Sequence, residues 1–273
     1  AGSAYRLNGK ELRARDPKLS LGITLNLTVA DAADPNDAGD RDAARRIDGQ
    51  FNRFFLDPIF RGEYPADVLD DVAGLGFENV VQPGDLDVIS SPIDMLGVNY
   101  YHGELVGVRP ANGDTKPAAA PSERPKRSPF PAAEGVHWHK RDLPTTAMGW
   151  EVQPEGLTRL LTRIHEEYAA PAGVALAVTE NGAAYDDEVT ADGEVHDADR
   201  VAFLEAHLSA VLDAIEGGVP VHGYFYWSLM DNYEWAWGYD KRFGIVRVDY
   251  DTLERTPKDS ARRYQSIIAA RAL

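Results

Sequence analysis

The chain has 273 residues, 44% hydrophobic, 26% charged and 10% aromatic, which is enough for one large core and excludes a disordered, collagen-like or low-complexity chain. Lys and Arg number 28 against 44 Asp and Glu, a net charge of -16, so nucleic acid would be repelled. The absence of cysteine excludes disulfides, thiolate metal sites and a thiol nucleophile, and no run reaches the roughly 20 apolar residues of a membrane span.

The N-terminal residues, Ala1 to Asp16, carry scattered charges and no apolar core of the secretory type. Leu21 to Leu27 (LGITLNL) is apolar and β-rich and reads as a buried strand. A polar loop, Asp31 to Asp40, follows. Ala43, Ile47, Phe51 and Phe54 or Phe55 then recur at helical spacing, and Pro58 ends that helix. Asp94 to Tyr101 is a second strand. Between Arg109 and Pro131 six prolines interrupt any periodicity and predict a long, irregular, mobile loop. Gln153 to Tyr168 places Leu157, Leu160, Leu161 and Ile164 on one helical face. Val174 to Glu180 is a third strand, stopped at Asn181-Gly182. The helix Ala198 to Ile215 carries Val201, Leu204, Leu208, Val211, Leu212 and Ile215 on its apolar stripe. Val221 to Leu229 is a fourth strand, and Pro257 to Ala269 closes the chain as a helix. Strands alternating with helices define the fold class as α/β. Four strands make half of a (β/α)8 TIM barrel, although the length would have allowed all eight.

Chemistry concentrates at the strand ends. Thr179-Glu180-Asn181-Gly182 puts a carboxylate and a turn at the mouth of a parallel barrel, where a ligand can reach it; a strand-capping Glu is the plainer alternative. Trp227-Ser228-Leu229-Met230-Asp231-Asn232-Tyr233-Glu234-Trp235 gathers indoles, carboxylates and amides. Sugars suit such a set, because their C–H faces stack on indole and their hydroxyls need fixed acceptors. Trp237 and Tyr239 read equally well as an aromatic core cluster. For Glu234 that explanation is weaker, since an unpaired buried carboxylate is costly. Asn99-Tyr100-Tyr101 ends the second strand at the same side of the sheet. His165 is an ordinary helix residue. His137 and His139 lack a carboxylate cluster that would make them metal ligands. Asp186-Asp187-Glu188 reads as a solvated loop, and Arg61, Tyr64 and the Asp57-Pro58 turn as scaffold.

Five stretches in family order, FNRFFLDPIFRGEYP (Phe51 to Pro65), LGVNYY (Leu96 to Tyr101), MGWEVQPEGL (Met148 to Leu157), VTENGAAYDD (Val178 to Asp187) and YWSLMDNYEWAWGYDKRFGIVRVDYDT (Tyr226 to Thr252), resemble the C-terminal portion of glycoside hydrolase family one, the retaining β-glucosidases and their relatives. The resemblance covers nearly all of the chain from Leu19 onward. It implies a single catalytic TIM-barrel domain to which residues 1–273 contribute strands five to eight. It also implies that Glu180 is the catalytic nucleophile, forming a covalent glycosyl-enzyme that water hydrolyses with retention. Tyr101 would hydrogen-bond and orient Glu180, and Asn99 would lie near the sugar 2-hydroxyl. Trp227 would be the platform of the glycone subsite, Glu234 would accept from the 4- and 6-hydroxyls, and Trp235 would reach the 3-hydroxyl. Phe243 would border the glycone, and Trp150 would stack on the leaving group. Family members acting on 6-phosphorylated sugars replace the acidic-aromatic pair that stands here as Glu234-Trp235. The implied substrate is therefore an unphosphorylated β-glucoside, galactoside or fucoside, or a short β-linked oligosaccharide, with no cofactor, metal, nucleic acid or membrane involved.

Retaining hydrolysis needs a second carboxyl about 5–5.5 Å from the nucleophile. The family's Asn-Glu-Pro motif, which carries it, does not occur in this sequence, nor do the family's earlier glycone-binding Gln and His. The expectation is a partner, an N-terminal half-barrel polypeptide bearing strands one to four. Ala1 to Lys10 does not resemble the family helix expected there and hints at a new terminus. A cytoplasmic location suits the composition, and so does export of a cysteine-free chain. The competing reading is a catalytically inactive sugar-binding half-barrel or scaffold; a thioglucosidase is the variant within the enzyme class.

Overall fold

The computed structural model describes Gly9 and residues 11–110 and 130–273; most of the predicted proline-rich loop lies outside the described residues. The chain forms two compact units. One comprises residues up to Leu96 with Gly103–Arg141 and Ala170–Val174; the other comprises Gly97–His102, Asp142–Ala169 and Ala175–Leu273.

In the first unit, β1 (Gly22–Asn26) lies against the start of β3 (Met95–Asn99). A Cβ on Gly22 would come within 2.5 Å of the Met95 carbonyl oxygen, so the approach requires glycine. The segment expected as a loop from Asp31 to Asp40 begins instead within β2 (Ala30–Ala32). It pairs in parallel with β4 (Glu104–Gly107), which pairs antiparallel with β5 (His137–Trp138). Three residues are too few to show alternation, which hid β2 from the pattern. Helix α1 (Ala38–Asp48) starts where the Asp37 carboxylate accepts the N–H groups of Gly39 and Asp40. Its Ala43, Ala44 and Ile47 pack with Val106, Ala133 and Val136 as the local core.

A π-type turn, Gly49–Arg53, joins α1 to α2 (Phe54–Phe60), and Pro58 lies inside α2 rather than ending it. The turn has already broken the regular bonding just ahead of the proline, so its missing N–H disturbs little. Two short helices follow, α3 (Ala66–Asp71) and α4 (Asp85–Ile89). The scaffold residues act locally: Arg61 pairs with Asp57 at 3.1 Å, and Tyr64 stacks on Phe54 at 5.4 Å between ring centroids.

In the second unit the remainder of β3 is followed across the sheet by β6 (Ala175–Asn181) and β7 (Val221–Tyr226). β6 and β7 run parallel, with Leu176 opposite Val221 and Asn181 opposite Tyr226. Helix α5 (Pro154–Ile164) buries Leu157, Leu160, Leu161 and Ile164, the stripe its spacing predicts, each worth about 1.5–3 kcal/mol. Helix α6 (Ala198–Glu216) buries Arg200, Phe203, Leu204, His207, Ala210, Val211 and Ala214, whereas Leu212 and Ile215 are exposed. The predicted stripe is thus rotated. Apolar residues lie on several sides of α6, and the face that packs closest uses alanines together with a buried Arg and His.

The fourth strand ends at Tyr226, before the expected Leu229, because the chain turns there and the Ser228 N–H bonds the Phe243 carbonyl at 3.2 Å. A two-stranded ribbon, β8 (Val246–Val248) and β9 (Arg255–Pro257), leads into α7 (Asp259–Ala270). The acidic run after β6 is not a wholly solvated loop. Asp186 and Glu188 are exposed, but the Asp187 side chain is 2% exposed and paired with Arg200 and Lys258. A carboxylate with two buried cations in reach is drawn inward.

Candidate active site

The end of β6 is fixed by its backbone neighbours. The Tyr100 N–H donates to the Glu180 carbonyl at 2.9 Å. The Asn181 side chain, fully buried, donates to the Tyr100 carbonyl and accepts from the Tyr224 hydroxyl, both at 2.7 Å. Gly182 presses on the chain leaving β7: a Cβ there would lie 1.7 Å from the Trp227 carbonyl oxygen. Glu180 therefore stands at a rigid strand end with its side chain half-buried.

The Tyr101 hydroxyl donates to Glu180 Oε2 at 2.6 Å, a short charge-assisted bond. Burial, and then the bond to and charge of Glu180, push the Tyr101 hydroxyl well above the ordinary tyrosine range, so it remains a donor. Asn99 is buried and its Oδ1 accepts from the Thr179 hydroxyl at 2.7 Å, which leaves its amide N–H groups as what it can offer a ligand. Tyr101, Trp150 and Phe243 form an aromatic wall, with ring centroids 5.6 Å apart for Tyr101–Trp150, 6.3 Å for Tyr101–Phe243 and 6.2 Å for Trp150–Phe243.

The loop after β7 carries the remaining candidates. Trp227 is half-buried, its N–H bonds the Asn181 carbonyl at 3.0 Å, and the Trp227–Ser228 peptide is cis. Glu234 is half-buried; burial, and then the charge of Glu180, raise its carboxyl above the usual range. The two carboxylates thus share one electrostatic neighbourhood. Trp235 opens a single 3-10 turn, Trp235–Trp237, and is 81% exposed. Trp237 and Tyr239 are exposed as well, which corrects the core-cluster reading. They are held at the surface, Tyr239 against Tyr250 at 4.5 Å and Trp237 beneath the Lys241 ammonium.

The strand ends thus bring Asn99, Tyr101, Glu180, Trp150 and Phe243 together, while Trp235 stands in solvent. His102, whose ring is 4.9 Å from Trp150, escaped the sequence reading. Its adjacency to the Asn-Tyr-Tyr motif was the available signal. A cavity of about 690 Å³ in the first unit, lined by residues such as Phe51, Phe54, Phe77 and Phe130, has no titratable side chain among the described residues of its wall. Among the described residues no group of three His, Cys, Asp or Glu is arranged to hold a metal. His139 Nε2 faces the Arg109 carbonyl at 3.0 Å.

A carboxylate held by a tyrosine hydroxyl beside an aromatic wall, at the end of a parallel strand, marks this, as a class, as an α/β protein with a candidate site at its strand ends. Residues 4–273 match the family model of Glycosyl hydrolase family 1, and the chain belongs to that family. It is 44% identical over 262 residues to the bifunctional beta-D-glucosidase/beta-D-fucosidase of Bifidobacterium breve, covering 92% of this chain and 52% of that protein. It is 42% identical over 250 residues to beta-glucosidase A of Thermotoga maritima, covering 91% and 50%. Among solved structures, the psychrophilic beta-glucosidase BglU from Micrococcus antarcticus superposes with a TM-score of 0.91 at 50% identity, over 100% of this chain and 57% of that one. The Thermotoga maritima beta-glucosidase in complex with glucoimidazole gives 0.81 at 38% identity, over 99% and 55%. The chain spans about half the length of the curated relatives it matches. The fold is a (β/α)8 barrel of which this chain supplies strands five to eight, namely β1, β3, β6 and β7. No helix among the described residues is long and apolar enough to cross a membrane.

Proposed function

We propose that the chain is the nucleophile-bearing C-terminal half of a single retaining β-glucosidase barrel domain, acting on terminal non-reducing β-D-glucosyl residues and on galactosyl or fucosyl analogues. The observation that carries this reading is the 2.6 Å bond from the Tyr101 hydroxyl to Glu180, which holds a carboxylate oriented among aromatic rings. Glu180 attacks the anomeric carbon as the glycosidic bond breaks, giving a glycosyl ester that water then cleaves. The amide of Asn99 donates toward the 2-hydroxyl and Trp227 supplies the stacking platform. Glu234 and Trp235 take the 4-, 6- and 3-hydroxyls, and Trp150 and Phe243 border the bound sugars. The acid/base carboxyl comes from outside these residues, on an N-terminal half-barrel polypeptide bearing strands one to four. A cytoplasmic site of action fits the acidic, cysteine-free composition.

Trapping with a 2-deoxy-2-fluoro glucoside tests the reading in the assembled protein. The label is expected on Glu180, and its appearance on another residue, or nowhere, overturns the mechanism. The competing sugar-binding scaffold rests on the lack of an Asn-Glu-Pro motif in the sequence. For the chain without its complement, azide added with an activated aryl glucoside restores turnover if Glu180 is a working nucleophile. Binding without turnover marks a scaffold.

A further inference from the structure

We infer that Lys258 is a positioning residue for the sugar pocket: it ties the loop leaving β6 to the loop leaving β7 and thereby sets where Glu234 stands relative to Glu180. This rests on the sugar-contact reading of Glu234 given above. Lys258 is fully buried just ahead of α7, and its ammonium lies 2.5 Å from Asp187 Oδ2 and 3.1 Å from Asp231 Oδ1. Asp187 belongs to the loop that carries the chain away from Glu180. Asp231 lies between Trp227 and Glu234 on the other loop.

Both carboxylates are held on their far sides. Asp187 receives a bidentate pair from Arg200 at 2.8 Å each, and Arg200 Nε also reaches the carbonyl of Ala183, the residue after Gly182, at 3.3 Å. Asp231 accepts from the N–H groups of Gly244 at 3.0 Å and Val248 at 3.2 Å, and from Arg242 at 2.5 Å. Arg200 further pairs with Asp197, which accepts the N–H and hydroxyl of Ser260 at 2.8 and 2.6 Å and so seats the start of α7. Lys258, Arg200 and Arg242 thus face Asp187, Asp197 and Asp231 with their charges balanced.

A buried balanced network is poor evidence of stability, since apolar residues often replace one without loss. What it does supply is direction. Each carboxylate has few orientations that satisfy every donor, so the two loops are indexed to each other through one ammonium. Gly244 reinforces the same junction: a Cβ there would come 2.1 Å from the Asp231 nitrogen, so this loop end admits no slack. Small displacements of a hydroxyl acceptor suffice to change recognition.

The test uses the catalytically competent protein, comprising this chain and its complement, with aryl β-glucoside and aryl β-xyloside, which lacks the C6 hydroxymethyl group. Lys258→Met removes the ammonium and keeps the length. The glucoside-to-xyloside ratio of kcat/KM is expected to fall about tenfold, because a displaced Glu234 costs the xyloside the 4-hydroxyl contact alone and the glucoside both the 4- and 6-hydroxyl contacts. An equal loss on both sugars means a merely structural role and overturns the inference. Asp187→Asn, which keeps shape and loses the charge facing Lys258, is expected to lower the ratio in the same direction and serves if Lys258→Met does not fold. Glu234→Gln is the control. If Glu234→Gln shifts the ratio and neither network variant does, the inference fails alone. If Glu234→Gln leaves it unchanged, the sugar contact of Glu234 falls and the inference with it.

Discussion

The hydroxyl of Tyr101 and the carboxylate of Glu180 meet at 2.6 Å, although 79 residues separate them in the chain. The contact forms because β3 and β6 end side by side, with the Tyr100 N–H bonded to the Glu180 carbonyl. The backbone pairing therefore delivers the side-chain bond, and the aromatic wall of Trp150 and Phe243 shields it. Orientation of the Glu180 carboxylate is a property of the sheet, not of a flexible loop.

Tyr101→Phe keeps the ring and deletes the donor. A hydrogen bond to a charged group contributes about 1.5–3 kcal/mol, and tenfold in rate corresponds to about 1.4 kcal/mol. The expected loss in kcat/KM on an activated aryl glucoside is about 10- to 100-fold, with an unchanged circular dichroism spectrum. Steady-state kinetics of the purified variant check it.

Glu234 carries a raised carboxyl because burial and the charge of Glu180 both oppose its ionisation. Its folded value lies above the unfolded one, so the penalty is absent below the unfolded value and fully present above the folded one. Glu234→Gln is therefore expected to raise the Tm at neutral pH and to leave it unchanged in acid, while glucoside KM increases. Thermal melts at the two pH values, paired with kinetics, measure both halves of that trade.

His207 is fully buried, bonds the Phe203 carbonyl through Nδ1 at 2.8 Å and leaves Nε2 without a partner among the described residues. Burial pushes it down to about 4 from 6.5. The unfolded chain therefore takes up the proton first, so stability is full above 6.5 and is lost as the pH falls toward 4. The loss amounts to about 3 kcal/mol. Unfolding free energies from urea titrations at pH 7 and pH 4.5 are expected to differ by much of that amount in the native sequence and far less in His207→Leu.

Gly182→Ala places a methyl 1.7 Å from the Trp227 carbonyl oxygen. Backbone cannot yield as a flexible side chain does, so the cost is expected to exceed about 3 kcal/mol. Low soluble yield, or a strongly reduced denaturation midpoint, is the result to look for.

The elements that were legible in the sequence are those whose signal is local. Leu157, Leu160, Leu161 and Ile164 repeat at helical spacing and are buried; Glu180-Asn181-Gly182 ends an apolar run and lies at the end of β6. What escaped depends on partners distant in sequence. Asp187 looks like part of an acidic surface run until Lys258, 71 residues later, folds beneath it. The face of α6 was misplaced for a related reason: Arg200 and His207 are buried there by their bonding, which a count of apolar residues does not register. Trp237 and Tyr239 read as core from composition, yet the turn that begins at Trp235 holds them outward.

Among the five tryptophans of the sequence, Trp235 stands 81% in water. Its indole consequently emits at long wavelength, and any ligand or complementary chain that covers it shifts that emission to the blue. On the proposed function, the protein carries its own fluorescent gauge of pocket occupancy, readable without a dye and before any bond is cleaved.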